Sequence, residues 1–246
     1  MRSLSVFFIV ATFWLCAESH SSELASWIEF SDAYHADELD RALASRDRIE
    51  PDRVFIAALA DYRLAGMHMM RGDEDNAARR LRQALSIIES ESHRVTSDAD
   101  LMALRGGIEG MLIGTGGFLK GMRLGPRSAR AIQFALTLDP SSATAWYMEG
   151  VGLYWRPRIF GGSNSLALDA LDRAIELFGQ SADDPVAGWG LAEAHVWCGE
   201  ILYKEGKYES AARAFSAALA VQPGYRRAEA GMNLILARTP DIAESL

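Results

Sequence analysis

Cysteine is almost absent. The 246 residues contain two, Cys16 and Cys198, which excludes a small scaffold stapled by several disulfides. Stability must come from packing, and 49% hydrophobic residues in a chain of this length supply a full core. Proline is scarce, seven in all, so a long proline-rich linker is excluded. Basic residues are outnumbered, 25 Lys and Arg against 33 Asp and Glu, for a net charge of −8. No basic stripe stands out, and nucleic acid is not an expected partner. Motifs for chemistry are missing too. His35, His68, His93 and His195 show no paired metal spacing, and there is no HExxH, Cys-His cluster or GxSxG. Nothing in the residues argues for an enzyme, and no cofactor and no metal is expected.

Long apolar runs are limited to one. After Arg2, Leu4 to Ala17 (LSVFFIVATFWLCA) is an uncharged stretch of 14 residues. A comfortable membrane span takes roughly 20 residues. The run matches the apolar region of a secretory signal peptide, with small residues for cleavage at Ala17 or Ser19. A lipoprotein reading would make Cys16 the lipid-bearing residue, although Leu15 stands where a small residue is wanted. The expectation is a leader at 1–17 and a periplasmic or secreted mature chain that does not span a membrane. Cys198 would then be the one cysteine left. Flanked by Trp197 and Gly199 in an apolar pattern, it reads as a buried small hydrophobe.

The clearest internal unit is Ala192 to Tyr225, AEAHVWCGEILYKEGKYESAARAFSAALAVQPGY. It holds two apolar stripes of helical period, joined at Glu205-Gly206-Lys207. Gly206 permits the positive φ that ends a helix tightly. Gly199, Ala211 and Ala218 sit where the helices must approach, Tyr208 and Phe215 fill the space around them, and Pro223 stops the second helix. These seven positions at fixed spacing resemble a tetratricopeptide repeat, a helix-turn-helix unit of about 34 residues. The departure is at the usual tryptophan, where His195 stands.

Weaker units lie in phase upstream. In 58–91 the alanine pair is Ala77 and Ala84, Gly72 takes the turn, and Glu74 replaces the expected aromatic. Ser128 to Leu138 reads as a second helix that keeps Ala135 and ends at Pro140, paired with 99–118. In WYMEGVGLYWRPRIFGGSNSLALDALDRAIELF, Trp146 and Gly150 belong to a first helix, Ala167, Leu171 and Ala174 to a second. The span from Gly150 to Ala174 is five residues longer than that from Gly199 to Ala218. Pro157 cannot lie inside a helix without losing a hydrogen bond, so RPRIFGG reads as a lengthened turn, with Ser163 or Asn164 capping the next helix. The expected fold is all-α, a solenoid of about four such units with extended turns. Its boundaries would be a helical cap at 18–57, repeats at 58–225, and a capping helix and tail at 226–246. Within the cap, a helix should begin at Asp37–Asp40 and end near Ile49–Pro51.

The glycine-rich segment 106–121 (GGIEGMLIGTGGFLKG) lacks the lysine position of a phosphate loop. Gly106, Gly110 and Gly114 are four apart on one helix face, which suits close helix packing; whether the segment also holds a ligand stays open. Gly116-Gly117 should end that helix, and Phe118 to Pro126 should form a second long turn.

First helices of such solenoids line the concave side. The resemblance and the helical phase together place Tyr62, Met69, Met70, Tyr147, Val151, Tyr154, Trp155, Glu200 and Tyr203 there, with Glu193, Val196 and Lys204. Aromatic and methionine side chains suit binding hot spots. The resemblance implies a non-catalytic scaffold for a protein or peptide. The alternative is a small-ligand-binding accessory protein of a solute transporter (the TRAP-associated type), which a closed cavity under Arg156 to Gly162 would favour. The sequence leaves homo-oligomerisation open.

Overall fold

The computed structural model describes residues 24–50, 52–116 and 118–241. The expected leader, Cys16 and Gly117 lie outside them. The described residues are helical and contain no strand. Helix α1 runs over 24–35. It is followed by α2 (Leu39–Arg46), α3 (Val54–Met70), α4 (Glu74–Ser90), the single turn α5 (Ser92–Val95), α6 (Ala99–Ile113) and α7 (Phe118–Leu138). Then come α8 (Ala143–Trp155), a 3-10 turn (Arg158–Phe160), α9 (Asn164–Gly179), α10 (Leu191–Lys204), α11 (Tyr208–Val221) and α12 (Arg226–Arg238).

Four antiparallel hairpins, α3/α4, α6/α7, α8/α9 and α10/α11, stack in order as an α-solenoid. Small residues set how closely each pair nests. A Cβ on Gly150 would lie 2.6 Å from Leu171 Cγ and 3.0 Å from the Ala167 carbonyl. A Cβ on Gly199 would meet the Phe215 ring at 2.7 Å. Ala77, Ala84, Ala167, Ala174, Ala211 and Ala218 are all fully buried. Gly72 and Gly206 turn their hairpins with φ of 73° and 76°, a region most residues avoid. Helix starts are capped by side-chain oxygens, Asp73 to Asn76 N, Asp98 to Leu101 N, Ser142 to Ala145 N and Ser163 to Leu166 N. At the far end α12 packs on α11, and a Cβ on Gly231 would meet the Phe215 ring at 2.4 Å. Ala228 and Ile235 of α12 share a core with Phe215 and Ala211.

Two local expectations are corrected. Phe118 to Pro126 is not a turn but the first part of the 21-residue helix α7, with Pro126 inside it. Gly125 precedes the proline and has no Cβ to clash with its ring, which relieves the usual restriction on that position. In the N-terminal part the helix starting at Leu39 stops at Arg46, short of Ile49, and a separate helix, α1, precedes it. Between them Asp37 has φ 58°, and Arg71 donates to both its carbonyl and its Oδ1, at 3.1 and 2.9 Å.

Candidate partner-binding surface

The middle of the concave side is already occupied. Helix α1 carries Trp27, Phe30 and Tyr34 at i, i+3 and i+7, one face of a helix. Their rings stack in series, with centroids 5.7 and 6.5 Å apart. Trp27 and Phe30 are fully buried. Trp27 Nε1 donates to the Pro185 carbonyl at 2.8 Å, in the loop before α10. Tyr34 and His35 pack on Tyr225, between α11 and α12, at 6.4 and 4.6 Å. Arg63 of α3 sits beneath this plug, its guanidinium 4.7 Å from the Tyr34 ring and 5.2 Å from both Trp27 and Trp189. It donates to Ser31 Oγ at 3.1 Å and to the Trp189 carbonyl at 2.8 Å, and forms a buried ion pair with Glu193 of α10. His35 Nε2 lies 3.5 Å from the same carboxylate. Burial pulls the Glu193 carboxyl upward, but Arg63 and His35 overcome that and hold it below its ordinary value. Residues of the first and last units are thus joined through one buried charge cluster and the aromatic face of α1.

This overturns part of the expected groove. Tyr62 and Tyr147 are only 6% and 4% exposed; they belong to the core that α1 closes and offer no surface to a partner. Glu193 and Val196 are buried with them. Val151 is half-buried against the core, and so is Met69, whose Cε fills the space left by Gly114. Met70 is exposed near the end of α3. A signal for this burial was present in the sequence: VFIAALADYRLAGMHMM of α3 is apolar on every side, the pattern of a helix covered all round.

The end of α8 and the adjoining side of α10 remain open, and there the structure assembles an aromatic shelf. Tyr154, Trp155 and Trp197 are mutually adjacent, with centroids 5.1, 5.8 and 6.2 Å apart. Trp155 is 66% exposed. Lys204 Nζ stands 5.0 Å from the Tyr154 ring and 5.8 Å from the Trp155 ring, and bonds the Tyr154 hydroxyl. Arg227 lies 4.2 Å over Trp197 and is held there by a bidentate pair with Glu200, at 2.7 and 2.9 Å. Trp197 Nε1 donates to Tyr147 Oη at 3.0 Å, anchoring the shelf on the core. Tyr203 packs on Tyr208 at 5.5 Å. The structure therefore brings Tyr154, Trp155, Glu200 and Lys204 into one surface and adds Trp197 and Arg227. Trp197 and Lys204 lie seven apart on α10, so helical period alone puts them on one face; nothing local places Arg227 there.

Other candidates resolve as packing. Gly106 and Gly110 face α7, where Ser128 Oγ donates to the Gly106 carbonyl at 2.7 Å and Ile132 fills the remaining gap. Cys198 is buried, its thiol pushed up to about 12 by burial and by Asp172. His68 is buried against Asp73, 3.1 Å from its Oδ2. Among the described residues no group of three His, Cys, Asp or Glu could hold a metal, and no helix is long and apolar enough to cross a membrane. Two hollows, of 200 and 260 Å³, are lined by Ser97–Asp100 with Leu138–Asp139 and by Met102, Arg105, Glu109, Arg127, Arg130 and Ala131. Neither includes a residue of 156–162.

Residues 192–225 match the family model described as tetratricopeptide repeat. No curated protein matches the chain. Among solved structures, the HusA haemophore from Porphyromonas gingivalis is 17% identical, with a TM-score of 0.54 over 72% of this chain and 94% of that one. MamA is 19% identical (TM-score 0.43, covering 74% and 88%). YrrB, a TPR protein with an unusual peptide-binding site, is also 19% identical (TM-score 0.39, covering 90% and 97%).

Proposed function

We propose that this chain, a tetratricopeptide-repeat protein, is a non-catalytic extracytoplasmic scaffold that holds a protein or peptide partner on the shelf formed by Tyr154, Trp155, Trp197, Lys204 and Arg227. The observation that carries the reading is the exposed Trp155 ring, packed edge-on against Tyr154 and Trp197. Aromatic anchors beside cations are the composition of binding hot spots. The rings are rigidly seated, so little ordering entropy is lost when a partner covers them. Lys204, exposed beside the Trp155 ring, favours a partner segment that carries a carboxylate next to an apolar side chain, while Arg227 is spent on Glu200 and backs Trp197. Export rests on the uncharged run Leu4 to Ala17 behind Arg2.

The test is a photo-crosslinking amino acid at position 155, with the same group at Met122 as control, in cells that express the full chain. We expect one discrete adduct from position 155, none from 122, and loss of the adduct in a Trp197→Ala background that still gives a native helical spectrum. Equal labelling from both positions would overturn the shelf. Sequencing the N-terminus of the recovered protein checks export: a start between residues 18 and 20 agrees with it, and a start at Met1 in the cytosolic fraction refutes it.

A further inference from the structure

The lengthened turn between α8 and α9 has properties the shelf does not use. Its backbone is fixed: Phe160 N and Gly162 N donate to the Pro157 carbonyl at 2.8 and 3.2 Å. Gly161 N donates to the Arg158 carbonyl at 3.0 Å, and Ser163 N to that of Leu153 at 3.2 Å. Every residue from Pro157 to Gly161 is exposed. This rigid projection carries Ile159, 86% exposed, and Phe160, 63% exposed. None of the four bonds uses a side chain, so the turn itself does not require apolar residues there, and polar ones would cost the fold nothing.

Charge is arranged around the tip against the trend of the chain. Arg156 and Arg158 flank Ile159 on the N-terminal side. Lys204 stands beside Trp155. Glu205 accepts from Asn164 at 3.0 Å, pairs with Lys207 at 2.8 Å and is lowered in part by Arg158. Those bonds bring 164, 205 and 207 together, and Arg156 and Arg158 lie in the same turn, so the collar around the tip is four cations, Arg156, Arg158, Lys204 and Lys207, against one carboxylate, Glu205. That is a net +3 on a chain whose formal charge is −8.

We propose that this tip docks on an anionic lipid surface, with Ile159 and Phe160 entering the headgroup boundary and the collar pairing with lipid phosphates. The exposures decide between classes of partner. Two adjacent apolar side chains standing 86% and 63% in solvent with cations beside them suit insertion into a fluid interface, where apolar groups bury while neighbouring cations meet headgroups. A protein partner would need a pocket shaped to them; a fluid interface needs none.

The experiment uses the full chain and vesicles of phosphatidylglycerol in phosphatidylcholine, or of phosphatidylcholine alone. Hydrogen exchange of the peptide covering 155–164 should slow on the phosphatidylglycerol vesicles and not on the neutral ones. Each cation near an anionic surface strengthens binding roughly fivefold, so Arg156→Gln with Arg158→Gln should lower co-sedimentation by about thirtyfold in low salt. Ile159→Ser with Phe160→Ser should lower it at least about tenfold, the loss of two buried apolar side chains. Both double variants change exposed or half-exposed residues and should keep the wild-type melting temperature, separating docking from unfolding. Unchanged exchange at 155–164, or variants that sediment like wild type, would overturn the proposal. So would a solution dimer that the tip variants abolish without any response to vesicles, since the tip would then be a self-association surface. Loss of the position-155 adduct leaves this test unaffected, so the two readings fail separately.

Discussion

Replacing Trp27 by alanine tests whether α1 is a structural member or a loose cover. Stacked hairpins alone behave almost one-dimensionally, each unit leaning only on its neighbours. Helix α1 breaks that pattern, because it touches Arg63 of α3, Pro185 before α10 and Tyr225 after α11. Truncating a fully buried tryptophan costs about 3–5 kcal/mol. The indole bond to the Pro185 carbonyl adds about 1 kcal/mol, and Arg63 loses one of its three ring faces, worth about 0.5–2 kcal/mol. These terms share partners and do not add fully, so we expect a loss of about 4–6 kcal/mol. With a urea slope of about 2 kcal/mol per M, the midpoint falls by roughly 2–3 M. The assay is urea unfolding followed by both far-ultraviolet circular dichroism and tryptophan fluorescence. In wild type the two curves should coincide. In Trp27→Ala the transition should broaden, because the first and last units are no longer tied. Ile28→Ala, an exposed change on the same helix, should move stability by about 0.5 kcal/mol or less. A midpoint shift under about 0.5 M for Trp27→Ala, with the slope kept, would refute the staple and make α1 a peripheral cover.

Four further outcomes rest on the packing and the charges. Gly150→Ala should destabilise by about 1–2 kcal/mol in a thermal melt, because overpacking against Leu171 Cγ outweighs the gain in helix propensity. Gly66→Ala should instead stabilise by up to about 1 kcal/mol, since nothing beyond its own stretch of helix backbone lies within 4 Å of the new Cβ. The Cys198 thiol, at about 12 and buried, should resist iodoacetamide at pH 8 in the native chain and react only in denaturant, read by mass spectrometry of its peptide; rapid native labelling would contradict its burial. Glu193 is depressed in the fold, so its contribution is present above the ordinary carboxylate range and lost as pH falls through the folded value. Wild type should therefore lose melting temperature from pH 5 downward more steeply than Glu193→Gln; parallel slopes would show that another group governs acid unfolding.

The repeats were legible because their determinants are local. Gly199, Gly206, Ala211, Phe215 and Ala218 recur at spacings fixed by one hairpin, and the longer interval from Gly150 to Ala174 showed where residues had been added. The first part of α7 carries a turn composition, with Gly121, Gly125 and Pro126, yet Gly125 lacks the Cβ that would crowd the proline ring and the helix runs through. The occupied groove was harder to see. The stripe Trp27, Phe30, Tyr34 is readable as one apolar helix face, but its seat is built from residues more than 100 positions away, among them Pro185, Trp189, Glu193 and Tyr225. Helical phase put Tyr62 and Tyr147 on the concave side, and both are buried in the core that α1 closes. It could not tell an inner side facing solvent from one facing another segment of the same chain.

That distinction determines where a partner can land. With α1 fixed across the middle of the concave side, the open surface lies where the end of α8 meets α10 and Tyr154, Trp155 and Trp197 come together. The added residues begin immediately after Trp155, so shelf and tip adjoin by construction. Extra residues are cheapest at a turn: a longer loop adds little closure entropy, and the Gly150–Leu171 contact that nests α8 on α9 is kept. The same residues inside either helix would have moved every small side chain out of register with its partner. An insertion at this turn could thus acquire Ile159, Phe160 and their cationic collar without disturbing a core alanine, which is why the exposed apolar residues here read as selected for an encounter and not for the fold.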